Sequence, residues 1–166
     1  MPKWSEPSVC WRTGTGSACD AHGKILPMPP RRKSKLKIDL VIPVYNEAEA
    51  IAKTYADIRQ VVDVLPYDFH FIYVDDGSDD GTADTLRGIA ANDDRVPVLQ
   101  LSRNFGRQAA LTAGMDASQG DIMISLDGDG QHPPEMLPKM IDLIHQGYDI
   151  VQAQRIEDDR LVSFKK

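Results

Sequence analysis

The chain has no run of about 20 uncharged apolar residues, so its 166 residues contain no stretch typical of a membrane-spanning helix. It also has no excess of basic charge: the net charge is −6, which argues against a general nucleic-acid-binding protein. Hydrophobic residues make up 42% and charged residues 27% of the sequence, a balance typical of globular proteins rather than of disordered or fibrous ones. We therefore expect a globular domain that binds no nucleic acid.

Cysteine is scarce as well. Cys10 and Cys19 are the two in the chain, and no set of His or Cys residues at zinc-binding spacing accompanies them. A disulfide between them would lie before the first predicted strand and would not join parts of the core. Cysteine usage therefore indicates a reducing compartment.

The first 36 residues differ in composition from the rest, and we predict a disordered basic leader there. Residues 1–37 carry eight Lys or Arg side chains and two acidic ones, whereas the other 129 residues carry 11 basic and 23 acidic ones. The leader shows no sustained helical or strand period and lacks the apolar core of a secretory signal. We interpret it as a solvated linker, with contact between its basic run at residues 31–35 and anionic lipid or nucleic acid as the alternative.

From residue 37 onward, short apolar runs alternate with amphipathic patterns. Strands are predicted at residues 38–44, 69–74, 96–101, 122–126 and 148–153, and helices at about 51–65, 82–91, 108–118 and 134–146. This alternation is typical of an α/β domain with a mostly parallel sheet. Pro97 further predicts that the third strand lies at an edge of that sheet.

Acidic residues follow three of the predicted strands: Glu47, Asp75, Asp76, Asp127 and Asp129. The carboxyl ends of parallel strands meet at one edge of a sheet, so we expect these carboxylates to lie close together. Their mutual repulsion would be relieved by Mg²⁺ or Mn²⁺, which prefer oxygen ligands. Arg103 and Arg107 follow the third strand and add positive charge. The carboxylates and arginines at this edge therefore predict a site for a diphosphate and a divalent metal.

No glycine-rich phosphate loop is present, because neither G-x-G-x-x-G nor G-x-x-x-x-G-K-[ST] occurs at a strand end. Each acidic motif also has a simpler interpretation as a helix cap or a tight turn. A calcium loop beginning at Asp127 is excluded, since His132 stands where glycine is needed and Pro138 where a bidentate Glu is needed. Two alternatives stay open: a domain that binds a nucleotide without catalysis and, remotely, a phosphorelay receiver domain.

Taken jointly, the motifs resemble family 2 glycosyltransferases with the GT-A fold. Residues 40–47 (LVIPVYNE), 74–82 (VDDGSDDGT) and 127–129 (DGD) carry this resemblance. Residues 102–110 (SRNFGRQAA) and 127–135 (DGDGQHPPE) are similar to the polyprenyl-phosphate branch, which includes dolichol-phosphate mannose synthases and undecaprenyl-phosphate glucosyltransferases. The resemblance implies a three-layer α/β GT-A fold with a mostly parallel sheet. Residues 37–166 would be the nucleotide-sugar-binding part of that domain, incomplete at its C-terminus.

The resemblance also implies roles for individual residues. Those matching nucleotide-sugar contacts are Pro43, Tyr45, Glu47, Asp75, Asp76 and Asp127. Asp129 matches the metal ligand, and Gln131 matches the amide that joins it in this branch. The implied catalytic residues are Asp127, Asp129, Arg103 and Arg107, with the two arginines near the donor sugar or the acceptor phosphate. Many relatives have Lys where Arg107 stands, which keeps the charge but changes its geometry.

The implied reaction is a metal-dependent, inverting transfer of a hexose from a UDP or GDP donor to a polyprenyl phosphate, either dolichyl or undecaprenyl phosphate. Mg²⁺ or Mn²⁺ would be the cofactor, and the enzyme would work at the cytoplasmic face of a membrane. The departure from the family is the ending: relatives continue with more catalytic domain after the region of residues 155–160. We therefore expect this chain alone to bind a nucleotide sugar weakly and to transfer the sugar poorly or not at all.

Overall fold

A computed structural model describes residues 35–153 of the chain. The predicted leader, apart from its last two residues, and the stretch after residue 153 lie outside the described residues, so the proposed division at residue 37 stays a prediction. Four strands and four helices alternate: β1 (Lys37–Val44), α1 (Ala48–Val62), β2 (Asp68–Asp75), α2 (Thr82–Ala90), β3 (Val98–Gln100), α3 (Arg107–Ala117), β4 (Ile122–Ser125) and α4 (Met136–His145).

The four strands form one parallel sheet in the order β3-β2-β1-β4. Ile38 near the start of β1 pairs with Phe69 of β2 on one side and with Ile122 of β4 on the other. All four strands therefore end at the same edge, as the sequence predicts. The edge position predicted for the third strand from Pro97 is confirmed.

Side chains on the two faces of the sheet form two separate hydrophobic clusters. Alternate residues of β1, among them Ile38, Leu40 and Ile42, belong to the larger cluster with buried residues of α1, α2 and α4. Val41 of β1 belongs to the smaller cluster, where it packs with residues of β2 and with Ala110 of α3. Helices thus cover both faces of the sheet. The sequences of β1 and β2 are nearly continuous apolar runs because both faces of these strands are buried.

The strand predicted at residues 148–153 is absent from the described part of the chain, and this prediction is wrong for those residues. Tyr148 and Ile150 are 58% and 87% exposed, and the segment makes no ladder with β4. Apolar residues alone do not make a strand, because its backbone groups need hydrogen bonds from a neighbouring strand. The third strand is also shorter than predicted, with three residues rather than six.

Asp39 is a buried carboxylate at the opposite edge of the sheet, where the strands begin. It is 3% exposed, and its oxygens accept hydrogen bonds from Ser118 Oγ and the backbone N–H groups of Gln119 and Gly120, and lie 3.0 Å from His70 Nδ1. Burial raises the pKa of Asp39, but the hydrogen bonds outweigh it, so the pKa lies below its ordinary value of 3.8. The ionised carboxylate therefore ties the end of α3 to β1.

Asp39→Asn should lower the free energy of unfolding by about 2 kcal/mol at pH 7, since it weakens a buried, charge-assisted set of hydrogen bonds. The folded pKa is depressed, so the stabilisation is present above about pH 4 and is lost as the pH falls through the folded value. Urea unfolding at pH 7 and pH 3 measures this, and the difference between variant and wild type should shrink at pH 3. Equal differences at both pH values would contradict the assignment.

Tyr73 carries a buried hydroxyl that has no hydrogen-bond partner among the described residues. Tyr73→Phe should therefore leave stability unchanged or raise it, because it removes an unsatisfied polar group from the core. The matched control is Tyr55→Phe, which removes a hydroxyl that donates to Asp93 Oδ2 at 2.6 Å. The control should lose about 1 kcal/mol in chemical denaturation. A larger loss for Tyr73→Phe than for Tyr55→Phe would show that the Tyr73 hydroxyl is satisfied after all.

Candidate active site

A cavity of about 410 Å³ lies at the edge where the strands end. Its lining includes residues at or after the ends of all four strands: Pro43, Val44, Tyr45, Glu47, Asp76, Asn104, Gly106, Arg107, Ala110, Asp127, Gly128 and Asp129. Seven of these residues are predicted site residues, so the structure brings most of the predicted site together. The other five lining residues are absent from the predicted site, although all five lie inside the quoted motifs.

Glu47 comes at the N-terminus of α1 and reaches into the carboxylate cluster. Its backbone N–H donates to Thr82 Oγ1 at 2.9 Å, whereas its buried Oε2 has no hydrogen-bond partner among the described residues. Burial, followed by the negative charges of Asp129, Asp127 and Asp80, raises the pKa of Glu47 from 4.5 to about 7. Negative side chains therefore outnumber positive ones in the cavity, which is expected where several carboxylates lie close together.

Asp127, at the end of β4, is held between two basic side chains. Arg107 donates to Asp127 Oδ1 from Nε at 2.9 Å and also from its terminal Nη2. His132 Nδ1 lies 3.7 Å from the other oxygen, Oδ2. Arg107 is the first residue of α3, so this ion pair connects the loop after β3 with the loop after β4. The proximity of His132 to Asp127 was not predicted from the sequence.

Asp129 and Gln131 form a tight local turn. The backbone N–H of Gln131 donates to Asp129 Oδ1 at 2.9 Å, and Gln131 is exposed. Within residues 35–153, no group of three or more His, Cys, Asp or Glu side chains is arranged to hold a metal ion. The oxygen donors present suit Mg²⁺ or Mn²⁺, with part of the coordination left to a bound diphosphate and to water.

Asp75 and Asp76, at the end of β2, are both buried. Asp75 is fully enclosed and does not line the cavity; its Oδ1 accepts the backbone N–H of Ser78 at 3.0 Å, and its Oδ2 has no partner in the described structure. Asp76 lines the cavity, but its two oxygens accept the backbone N–H groups of Phe105 and Gly106, each at 2.8 Å. The two neighbouring aspartates thus have different surroundings.

Arg103 does not line the cavity. Its guanidinium lies over the exposed ring of Phe105, with Cζ 4.6 Å from the ring centroid. Of the two predicted arginines, Arg107 therefore lines the cavity and Arg103 does not.

A match to a family model confirms what this geometry indicates. The model described as glycosyl transferase family 2 matches residues 39–164, more than half of the chain. The chain belongs to glycosyl transferase family 2. In this family 2 glycosyltransferase, the match begins at the third residue of β1 and includes β2, β3, β4 and the whole carboxylate edge.

Several curated relatives carry more specific names. The chain is 40% identical over 120 residues to a bactoprenol glucosyl transferase of Shigella phage SfX, covering 72% of this chain and 39% of that protein. It is 37% identical over 119 residues to the undecaprenyl-phosphate 4-deoxy-4-formamido-L-arabinose transferase of Aeromonas hydrophila, covering 71% and 36%. An uncharacterized glycosyltransferase of Bacillus subtilis, YkcC, is 39% identical over 131 residues, with coverage of 79% and 41%. The chain thus spans about two fifths of the length of these relatives.

Solved structures show the same fold. S. aureus TarS residues 1–349 matches with a TM-score of 0.57 and 22% identity, over 67% of this chain and 33% of that one. The mannosyltransferase PcManGT from Pyrobaculum calidifontis, solved in complex with GDP-Man and Mn²⁺, matches with a TM-score of 0.50 and 22% identity, over 59% and 28%. These neighbours confirm the GT-A fold of the glycosyltransferase. Within residues 35–153, no helix is long and apolar enough to cross a bilayer.

Glu47→Gln should raise the thermal stability of the ligand-free chain at pH 8, because it removes a charge that burial and three neighbouring carboxylates disfavour. The folded pKa of Glu47 is raised to about 7, so the penalty is present above that pH and disappears below about pH 4.5, where the wild-type side chain is neutral in both states. Melting curves of both proteins at pH 8 and pH 4.5 measure the effect. A variant less stable than wild type at pH 8 would contradict it.

Proposed function

We propose that the protein transfers a hexose from a nucleotide-diphosphate donor to a polyprenyl phosphate, with inversion of the anomeric centre and with Mg²⁺ or Mn²⁺. The observation that carries this proposal is the convergence of Glu47, Asp127 and Asp129 on one cavity together with a single arginine, Arg107. Relatives named for bactoprenol and undecaprenyl phosphate supply the acceptor class. Structural neighbours solved with GDP-Man and with UDP support a nucleotide-sugar donor.

The metal would be held by Asp129, with Gln131 beside it. When bound, it would stabilise the negative charge that develops on the departing nucleoside diphosphate. Few protein ligands are needed, because Mg²⁺ and Mn²⁺ at such sites take part of their coordination from substrate phosphates and water. The unpartnered oxygen of Glu47 and its raised pKa fit a site that is completed by positive charge.

The nucleoside and ribose would lie against Pro43, Tyr45, Glu47 and Asp127. Tyr45 is 43% exposed at the mouth of the cavity, where its ring can stack on a base, and Glu47 and Asp127 offer acceptors for ribose hydroxyls. Arg107 donates to Asp127 and adds positive charge for phosphate or sugar oxygens. The cavity volume of about 410 Å³ is within the range of small-molecule sites.

In this proposal, an oxygen of the acceptor phosphate is the nucleophile. A lipid phosphate is already an oxyanion at neutral pH, so its oxygen attacks the anomeric carbon while the bond to the donor diphosphate breaks. No side chain then has to remove a proton, and a His–carboxylate base pair is unnecessary. Arg107 in the cavity, and Arg103 on the same loop, would orient the acceptor phosphate by charge-assisted hydrogen bonds. The acceptor also implies that the protein works at the cytoplasmic face of a membrane.

The chain spans about two fifths of the length of these relatives. Transfer by the whole protein is therefore a proposal, and the 166-residue chain can test the donor-binding part of it. A binding role without transfer is the second candidate. Sugar transfer to undecaprenyl phosphate by the chain alone would exclude this second candidate. We expect donor binding with little transfer, so donor binding is the property that the chain tests.

The test of donor binding is thermal unfolding with UDP, GDP and ADP, each with and without Mn²⁺. One of UDP and GDP at about 100 times its Kd should stabilise the chain by about 2.7 kcal/mol in the presence of Mn²⁺. Asp129→Ala should abolish the metal-dependent part of the shift. The control Asp116→Ala, an exposed aspartate on α3, should keep it. A cooperative transition that no nucleotide moves would contradict the proposed donor site.

A further inference from the structure

The backbone on both sides of the Glu47 Cα atom is held by the loop after β2. The N–H of Glu47 itself donates to Thr82 Oγ1 at 2.9 Å. The next N–H along the chain, that of Ala48, donates to Asp80 Oδ2 at 3.0 Å. Peptide groups are planar, and both of those that flank this Cα atom are bound. The direction in which the Glu47 side chain leaves the backbone is therefore fixed.

Thr82 and Asp80 are also joined to each other. Asp80 Oδ1 accepts the Thr82 hydroxyl at 2.5 Å and the Thr82 N–H at 2.9 Å. Thr82 is fully buried, so water cannot replace a lost partner of its hydroxyl. The Glu47 N–H, the Thr82 hydroxyl and the Asp80 carboxylate form one chain of hydrogen bonds, in which each bond strengthens the next.

Asn46 adds two further hydrogen bonds between the same two loops. Its N–H donates to Ser78 Oγ at 2.9 Å, and its Oδ1 accepts the N–H of Asp79 at 3.0 Å. Its φ of +53° lies in the left-handed region, which asparagine tolerates better than most residues. Three successive N–H groups, from Asn46 to Ala48, thus donate to side chains of the loop after β2 and of the first residue of α2.

The Glu47 side chain does not cap its own helix. Glu47 occupies the N-cap position of α1 but makes no side-chain capping bond there. An N-cap side chain usually accepts an N–H of the first turn, and here Asp80 accepts that of Ala48 instead. The Glu47 carboxylate lines the cavity, where a Cβ atom added to Gly128 would lie 2.7 Å from Glu47 Oε2. The cap supplied by Asp80 thus leaves this carboxylate available to a ligand.

We propose that Thr82 and Asp80 are positioning residues that hold the Glu47 carboxylate in the cavity for contact with the bound nucleotide. Neither of the two residues lines the cavity of about 410 Å³, so each acts on a ligand there through Glu47. The part of this inference that concerns the nucleotide rests on the proposed function. The part that concerns the Glu47 side chain does not depend on any ligand.

The first experiment measures Glu47 in the free protein. Three-bond NMR couplings report whether its side chain keeps one χ1 rotamer, and amide–water exchange reports the hydrogen bond of its N–H. Thr82→Val, which removes the hydroxyl at nearly constant volume, should average the rotamer and speed the exchange. Thr82→Ser keeps the hydroxyl and should retain both wild-type values. The matched control is Thr85→Val on the same helix, where the lost hydroxyl donates to Gly81 O. It should leave Glu47 unchanged.

The second experiment measures binding of UDP–Mn²⁺, or of GDP–Mn²⁺ if the chain selects guanosine. Thr82→Val should weaken binding by about fivefold, because Glu47 is no longer held in place, whereas Thr82→Ser and Thr85→Val should bind like wild type. In the Glu47→Ala background, Thr82→Val should cause no further loss, since both changes remove the same contact. A threonine that only stabilised the fold would change the affinity by the same factor in both backgrounds.

Each outcome decides a separate point. An unchanged Glu47 rotamer and amide exchange in Thr82→Val would overturn the positioning role, and so would an equal disturbance in Thr82→Ser, because the methyl group would then hold Glu47. A loss of affinity that is additive with Glu47→Ala would overturn the nucleotide part. Wild type that binds neither nucleotide would overturn the proposed function and with it the nucleotide part, while the Glu47 rotamer still decides the rest.

A second variant keeps the positioning role testable if Thr82→Val does not fold. Asp80→Ala then replaces it, because Asp80 is exposed and the change removes the acceptor of both the Ala48 N–H and the Thr82 hydroxyl. It should average the Glu47 rotamer in the same way, and an unchanged rotamer would overturn the positioning role.

Discussion

The parallel pairing of β1 with β2 on one side and β4 on the other is the constraint on which the site depends. It brings the ends of three strands within one cavity width and so gathers carboxylates that repel one another. The protein offsets this repulsion in two visible ways: Arg107 binds Asp127, and backbone N–H groups bind Asp76. Glu47 receives neither, and burial together with the neighbouring carboxylates raises its pKa.

The buried carboxylates of the molecule differ in how their negative charge is compensated. A carboxylate that only stabilised the fold would resemble Asp39, which is as buried as Asp76 and has its hydrogen-bond acceptors occupied, so that its pKa falls. Glu47 has a buried oxygen without a partner and a raised pKa instead. Such a group destabilises the free protein and is compensated when a cation or a hydrogen-bond donor arrives, which is typical of binding sites.

The sequence predicted the fold where a local pattern decides the structure. β1 and β2 are uninterrupted apolar runs because both faces are buried, and the polar residues after them mark the strand ends. The prediction was wrong at residues 148–153, where apolar character is present but no neighbouring strand accepts the backbone hydrogen bonds. The partners of Asp76 could not be predicted either, since they depend on how closely two loops approach in space. The contact of Arg107 with Asp127 spans 20 residues and is likewise a property of the folded chain.

We propose that a metal–nucleotide complex binds at the carboxylate edge of the sheet and not at the opposite edge, where the strands begin. Paramagnetic broadening of backbone amide signals by Mn²⁺ tests it most directly. With UDP or GDP present, substoichiometric Mn²⁺ should selectively broaden the amides of residues 127–131 and leave those of Gln119 and Gly120, at the opposite edge, sharp. Broadening centred on the opposite edge, or no broadening with either nucleotide, would contradict the account.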